Sequence, residues 1–224
     1  MRAREFEKLI CGFSNRSRAD LDVRTRKLRE HRMLPVGGRG LHAAQIGPRD
    51  AATMLIAVSG SKNAVDAVTA VMTFAPLVPI GGRTRSFAGC ETLSEAIEDM
   101  LAKPALADRV LEVRFILPPA SDAGRFIRHE AIAAIRWTEN EVGQSCYYTT
   151  EAFASEIDDT DSLGQGSIRD EVVIGGGVIH QLSLDLPGDD TRDSAWTDGA
   201  SNDGSVEYGE PVVLDAAGEV LLDD

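Results

Sequence analysis

A chain of 224 residues with 43% apolar residues is long and apolar enough to bury a core, which excludes wholesale disorder. No apolar run reaches the roughly 18 residues of a membrane span, and the start, MRAREFEKL, has no signal-peptide core, so a soluble cytoplasmic protein without a membrane partner is expected. The net charge of −13 argues against nucleic acid only on average: residues 1–50 carry twelve Lys and Arg against six Asp and Glu, residues 51–185 ten against nineteen, and residues 186–224 one against eleven.

Phe6, Leu9, Ile10 and Phe13 recur at helical spacing and predict a first helix over residues 4–13. After a polar turn from Ser14 to Asp20, a second helix is predicted from Asp22 to Met33, with Asp22 at its start and Val23 and Leu28 facing inward. Pro35 disfavours helix in the residue before it and ends the second helix near Leu34. A third helix opens at Pro48, with Asp50 in its first turn, and stops near Gly60; a fourth runs from Ala64 to Phe74. Beyond Gly81-Gly82 the pattern changes. Thr92 and Glu95 form a capping box that opens a helix to Ala102, and strands are predicted over Val110–Leu117 and Phe126–Trp137. Val172–Leu186 reads as strand interrupted by Gly175-Gly176-Gly177, with Val178, His180, Leu182, Leu184 and Leu186 on one face. Residues 155–170 and 187–211 read as acidic loop or linker, and a terminal hairpin is expected around Asp215 to Gly218.

The chemistry concentrates in residues 22–58. Arg24, Arg26, Lys27, Arg29 and Arg32 put five cations within nine positions of one predicted helix, where they can meet phosphates and base edges. The Gly37-Gly38-Arg39-Gly40 run permits a sharp reversal with Arg39 at its tip, and His42 follows. The same features read more blandly as a solvated helix face and a tight turn with an incidental arginine. A phosphate-cradling P-loop is not expected, because no Lys-Ser/Thr pair follows the glycines.

The order of Val23-Arg24-Thr25, basic helix, Leu34-Pro35, glycine turn with Arg39, and Pro48-Arg49-Asp50-Ala51-Ala52 before an apolar helix resembles the MerR-type winged helix-turn-helix. The resemblance covers roughly residues 5–58. It implies that Val23 to Arg32 form the recognition helix and Gly37 to His42 the wing, so that Arg24, Arg26, Lys27, Arg29, Arg32, Arg39 and His42 contact double-stranded DNA around a turn made by Gly37, Gly38 and Gly40. The aromatic pair usual in that family's recognition helix is replaced here by Lys27 to His31. Its long dimerising helix has no counterpart, because residues 60–82 break at Gly60, Pro76 and Pro79; shorter relatives such as phage regulators, excisionases and small terminase subunits fit this length better.

Elsewhere no reaction is named. Cys11, Cys90 and Cys146 are far apart and form no CxxC pair, so reduced thiols and no structural metal are expected. Gly81-Gly82-Arg83 reads as a linker and the Gly175 triplet as a strand bulge; His180 reads as a core or contact residue; His129 and Glu130 are strand neighbours on opposite faces. The expectation is an α+β chain without catalytic residues, metal or cofactor, in three parts. Residues 1–82 form a winged helix-turn-helix, residues 83–186 a small mixed domain with antiparallel strands serving oligomerisation or partner binding, and residues 187–224 an acidic tail. The function expected is DNA binding, with transcription regulation its commonest use. The rival is a structural or assembly protein, for example in phage packaging, whose basic head docks on an acidic partner surface.

Overall fold

The computed structural model describes residues 1, 3–14, 16–36, 45–117, 131–155 and 170–186. Helices α1 (Ala3–Phe13), α2 (Arg18–Glu30), α3 (Pro48–Ser59) and α4 (Ala67–Phe74) precede the short strand β1 (Val78–Pro79). Helices α5 (Leu93–Ala102) and α6 (Pro104–Ala107) lead to β2 (Val110–Leu117), β3 (Ile132–Glu139) and β4 (Val142–Thr149). Helix α7 (Glu151–Ala154), strand β5 (Asp170–Gly175) and helix α8 (Gly176–Asp185) complete the fold. The class is α+β.

The strands form one antiparallel sheet in the order β1-β4-β3-β2-β5. Alternation along each strand sorts its side chains between two faces. Val113 pairs with Ile135, and Ile135 with Cys146; Phe115 pairs with Ala133, and Ala133 with Tyr148, so one face is apolar and buried. Helices α3, α5 and α8 belong to the same core as that face. Its aromatic contacts are edge-to-face, Phe74 on Phe115 at 5.3 Å and Phe87 on Trp137 at 5.4 Å. The other face carries an ion-pair ladder, in which Glu112 meets Arg114 at 2.8 Å and Arg136 at 3.2 Å, and Arg114 meets Glu171 at 3.2 Å.

Several expectations hold here with small shifts. Helices form where the first, third and fifth are expected, α5 opens on the Thr92–Glu95 capping box, and β2 spans the predicted residues. The predicted fourth helix is a 3-10 turn at Ala64–Asp66 running into α4.

Three expectations are corrected. The boundary at residue 82 does not divide the fold: one core runs from Phe6 to Leu186, and Ile80 N–H donates to the Tyr147 carbonyl at 2.8 Å. Gly81-Gly82 is accordingly a turn at the end of β1, with φ of 85° and 74°, and not a linker. The last segment is β5 followed by α8, not one bulged strand. Ile179, Leu182, Ser183 and Leu186 are buried at helical spacing, whereas Leu184 is exposed. The glycine triplet marks the strand-to-helix junction, where a Cβ on Gly176 would run into the Val110 carbonyl. Strand β4 carries no expectation from the sequence; its turn from β3 places Asn140 and Glu141 at φ of 51° and 66°, the pairing of a type I′ hairpin. The expected strand start at Phe126, the hairpin near Asp215 and the acidic segments at 156–169 and 187–211 lie outside the described residues.

Candidate nucleic-acid interface

Helix α2 begins earlier than expected. Ser17, not Asp22, is its N-cap, and the Ser17 hydroxyl accepts from the Asp20 N–H at 3.1 Å. It also ends earlier, in a Schellman arrangement: Met33 N–H donates to the Leu28 carbonyl at 2.9 Å and Arg32 N–H to the Arg29 carbonyl at 3.0 Å. Arg32 takes the left-handed position of that cap, with φ of 57°, where glycine is usual. The helix therefore stops before Pro35 comes into play.

The buried face of α2 consists of Leu21, Arg24, Thr25 and Leu28, the i, i+3, i+4, i+7 stripe of an amphipathic helix. Arg24 is fully buried, so its expected contact with DNA is corrected. Its guanidinium donates to the Ala57 carbonyl at 2.7 Å, the Ser61 hydroxyl at 2.6 Å, the Lys62 carbonyl at 3.2 Å and the Asp20 carboxylate at 2.7 Å. Arg16 joins it, donating to the carbonyls of Lys62 at 2.7 Å and Ser61 at 3.0 Å. The physical reason is the C-terminus of α3. The Ala57 carbonyl in its last turn and the carbonyls of Ser61 and Lys62 just beyond it gather at the negative end of the helix dipole, and the two guanidinium groups donate to them. Burial, and then the adjacent Arg24 charge, press the Arg16 guanidinium below its ordinary pKa, with Asp20 acting the other way.

The remaining cations of the helix stay outside. Arg18, Arg26, His31 and Arg32 are exposed, and Lys27 and Arg29 are half-buried. Glu30 sits among them, 3.0 Å from Lys27 and 4.0 Å from Arg26; the Lys27 hydrogen bond holds its carboxyl below the ordinary value despite some desolvation. The Arg29 Nε is enclosed and has no hydrogen-bond partner among the described residues. The exposed charges of α2 and its cap are thus Arg18, Arg26 and Arg32 against Asp22 and Glu30, with Lys27 and Arg29 half-buried beside them. Gly37, Gly38, Arg39, Gly40 and His42, the expected wing, lie outside the described residues. Sequence reasoning missed Arg16 and Arg18, which stand in what reads as a turn.

Of the other candidates, Cys90 and Cys146 are buried and Cys11 is half-buried. Burial pushes the Cys90 thiol up to about 11, with Asp99 adding to it, and the Cys146 thiol up to about 12. Both are therefore protonated thiols rather than nucleophiles near neutrality. His180 lies on α8, half-buried, its Nδ1 without a hydrogen-bond partner among the described residues. His129 and Glu130 lie outside the described residues. Among the described residues no cluster of His, Cys, Asp and Glu has the makings of a metal site, and no helix is long and apolar enough to cross a membrane. Compared with known families, curated proteins and solved structures, the chain matches none.

Proposed function

We propose that this chain binds double-stranded DNA through the exposed cations of α2, with α1 and α2 acting as a helix-turn-helix. The observation that carries the reading is the division of cations on α2. Arg24 is committed to the interior, while Arg18 and Arg26 on α2 and Arg32 just past its end are exposed, and Lys27 and Arg29 are half-buried. A basic helix held rigidly by its opposite face is the element that helix-turn-helix proteins present to the major groove. The four residues between α1 and α2 are a turn of suitable length. Regulation of transcription is the use we assign to it.

The test is a fluorescence-anisotropy titration of the full chain with random-sequence duplex across a salt series. Each of Arg26→Ala, Lys27→Ala and Arg32→Ala is expected to weaken binding and to flatten the logarithmic salt slope by about one unit. A full chain that shows no salt-dependent affinity for duplex, or a slope unchanged in all three variants, overturns the reading and favours a basic head that docks on an acidic protein surface.

A further inference from the structure

A second group of cations lies where α1 meets the start of α2. Lys8 of α1, Arg16 of the intervening turn and Arg18 at the first position of α2 line a depression of about 350 Å³, together with Glu7 and Cys11. Lys8 and Arg18 are exposed, and Arg16 is half-buried. Among the described residues none of these three cations forms an ion pair. Glu7, the acid of the depression, accepts from the Thr25 hydroxyl at 3.2 Å. Asp20, whose charge also acts on Arg16, is held by Arg24 at 2.7 Å. Positive charge is therefore in excess here.

Arg16 is held in place before any ligand arrives. Its terminal nitrogens donate to the carbonyls of Lys62 at 2.7 Å and Ser61 at 3.0 Å. Carbonyls orient a guanidinium but bring no net charge to neutralise it. Burial first, and the Arg24 charge second, press the Arg16 guanidinium below its ordinary pKa, and an anion in the depression would act against that shift. A side chain already fixed also loses little freedom on binding.

We propose that this depression is a phosphate site, in which Lys8, Arg16 and Arg18 surround one phosphate group. Lysine supplies a point charge and arginine a fork, and phosphate oxygens accept from both. The spacing along α2 favours the backbone of a duplex as the source, and in that form the inference rests on the reading of α2 given above. Arg18 and Arg26 are eight residues apart, about 12 Å along the helix axis. The major groove of B-DNA is about 12 Å wide. A helix that crosses the groove with Arg26 inside it brings Arg18 and the depression to the phosphate strand at the border. Such a contact fixes register on the duplex and reads no sequence.

Two titrations of the full chain test this. In the first, amide NMR spectra are followed as inorganic phosphate is added at constant ionic strength. Saturable shifts are expected at Lys8, Cys11 and Arg18. They are expected to vanish in the double variant Lys8→Ala, Arg18→Ala, whose substitutions are exposed and leave the hydrogen bonds of Arg16 intact. No saturation in the wild type, or equal shifts in the double variant, overturns the site. In the second, binding to random-sequence duplex is measured across a salt series. The double variant is expected to bind more weakly and to flatten the logarithmic salt slope by about two units. Arg85→Ala, which removes an exposed cation outside the depression, is expected to leave the slope unchanged. A double variant with the wild-type slope overturns the duplex as the source and assigns the site to a small phosphorylated ligand. A wild-type chain with no salt-dependent affinity for duplex overturns the reading of α2 instead, and the phosphate titration still decides the depression.

Discussion

Arg24 and Arg26 stand two positions apart on α2, and the helix turns them in opposite directions. Arg24 shares its face with Leu21, Thr25 and Leu28, whereas Arg26 has a side chain 63% exposed. That difference sets their expected behaviour on substitution. Arg24→Ala removes the guanidinium that meets the Asp20 carboxylate and takes one donor from each of the Ala57 and Lys62 carbonyls, which keep Ser61 and Arg16, and is expected to cost about 3 kcal/mol in urea unfolding. Arg24→Lys keeps the charge but loses the fork, and is expected to recover only part of this. Arg26→Ala is expected to change stability by less than about 0.5 kcal/mol, because its contact with Glu30 is exposed and long at 4.0 Å. Equal costs for the two alanine variants would contradict the division of roles. The five clustered cations were legible in the sequence, but their roles were not, since a count of arginines has no direction. The signal was present in the spacing: a polar residue at i+3 between Leu21 and Leu28 lies on the inward stripe whatever its charge.

At the scale of elements, legibility followed how many physical signals agreed. Proline at the first turn, an acid two residues on and a closing glycine together define α3, and a capping box with an apolar stripe defines α5. The α8 segment fails this test, because Val178 to Leu186 satisfies both the period of a strand and that of a helix. Packing against β2 and α5 decides it, and no local residue announces that partner. The sheet face with the ion-pair ladder offers a test at the same scale. Burial raises the Glu112 carboxyl, but the hydrogen bonds from Arg114 and Arg136 outweigh it and leave the group below its ordinary value. A depressed carboxyl stabilises the fold above its unfolded-state pKa and loses that contribution as pH falls through its folded-state value. The stability gap between wild type and Glu112→Gln is therefore expected to be constant near neutrality and to close below about pH 4. A gap that persists unchanged into acid would mean that the ladder does not hold Glu112 as a charge.

For the whole molecule, the decisive quantity is where its opposed charges can meet. The described part of α2 presents cations outward, and its ion pairs are made with Asp20 and Glu30 of the same helix. Residues 187–224, with one cation and eleven acids, are tethered to the same molecule beyond α8. Carboxylates on a tether compete with duplex phosphates for the same guanidinium groups, and the tether raises their local concentration without any added contact. If α2 binds duplex as proposed, truncation after Pro187 is expected to strengthen binding to random-sequence duplex several-fold at low salt. The gain should shrink as salt screens both partners, since the screening length falls from about 30 Å at 0.01 M to about 8 Å at 0.15 M. The measurement compares full and truncated chains at those two salt concentrations, with urea unfolding of both to show that the fold is intact. If the two chains bind equally at both, the acids of the tail do not compete for the cations of α2.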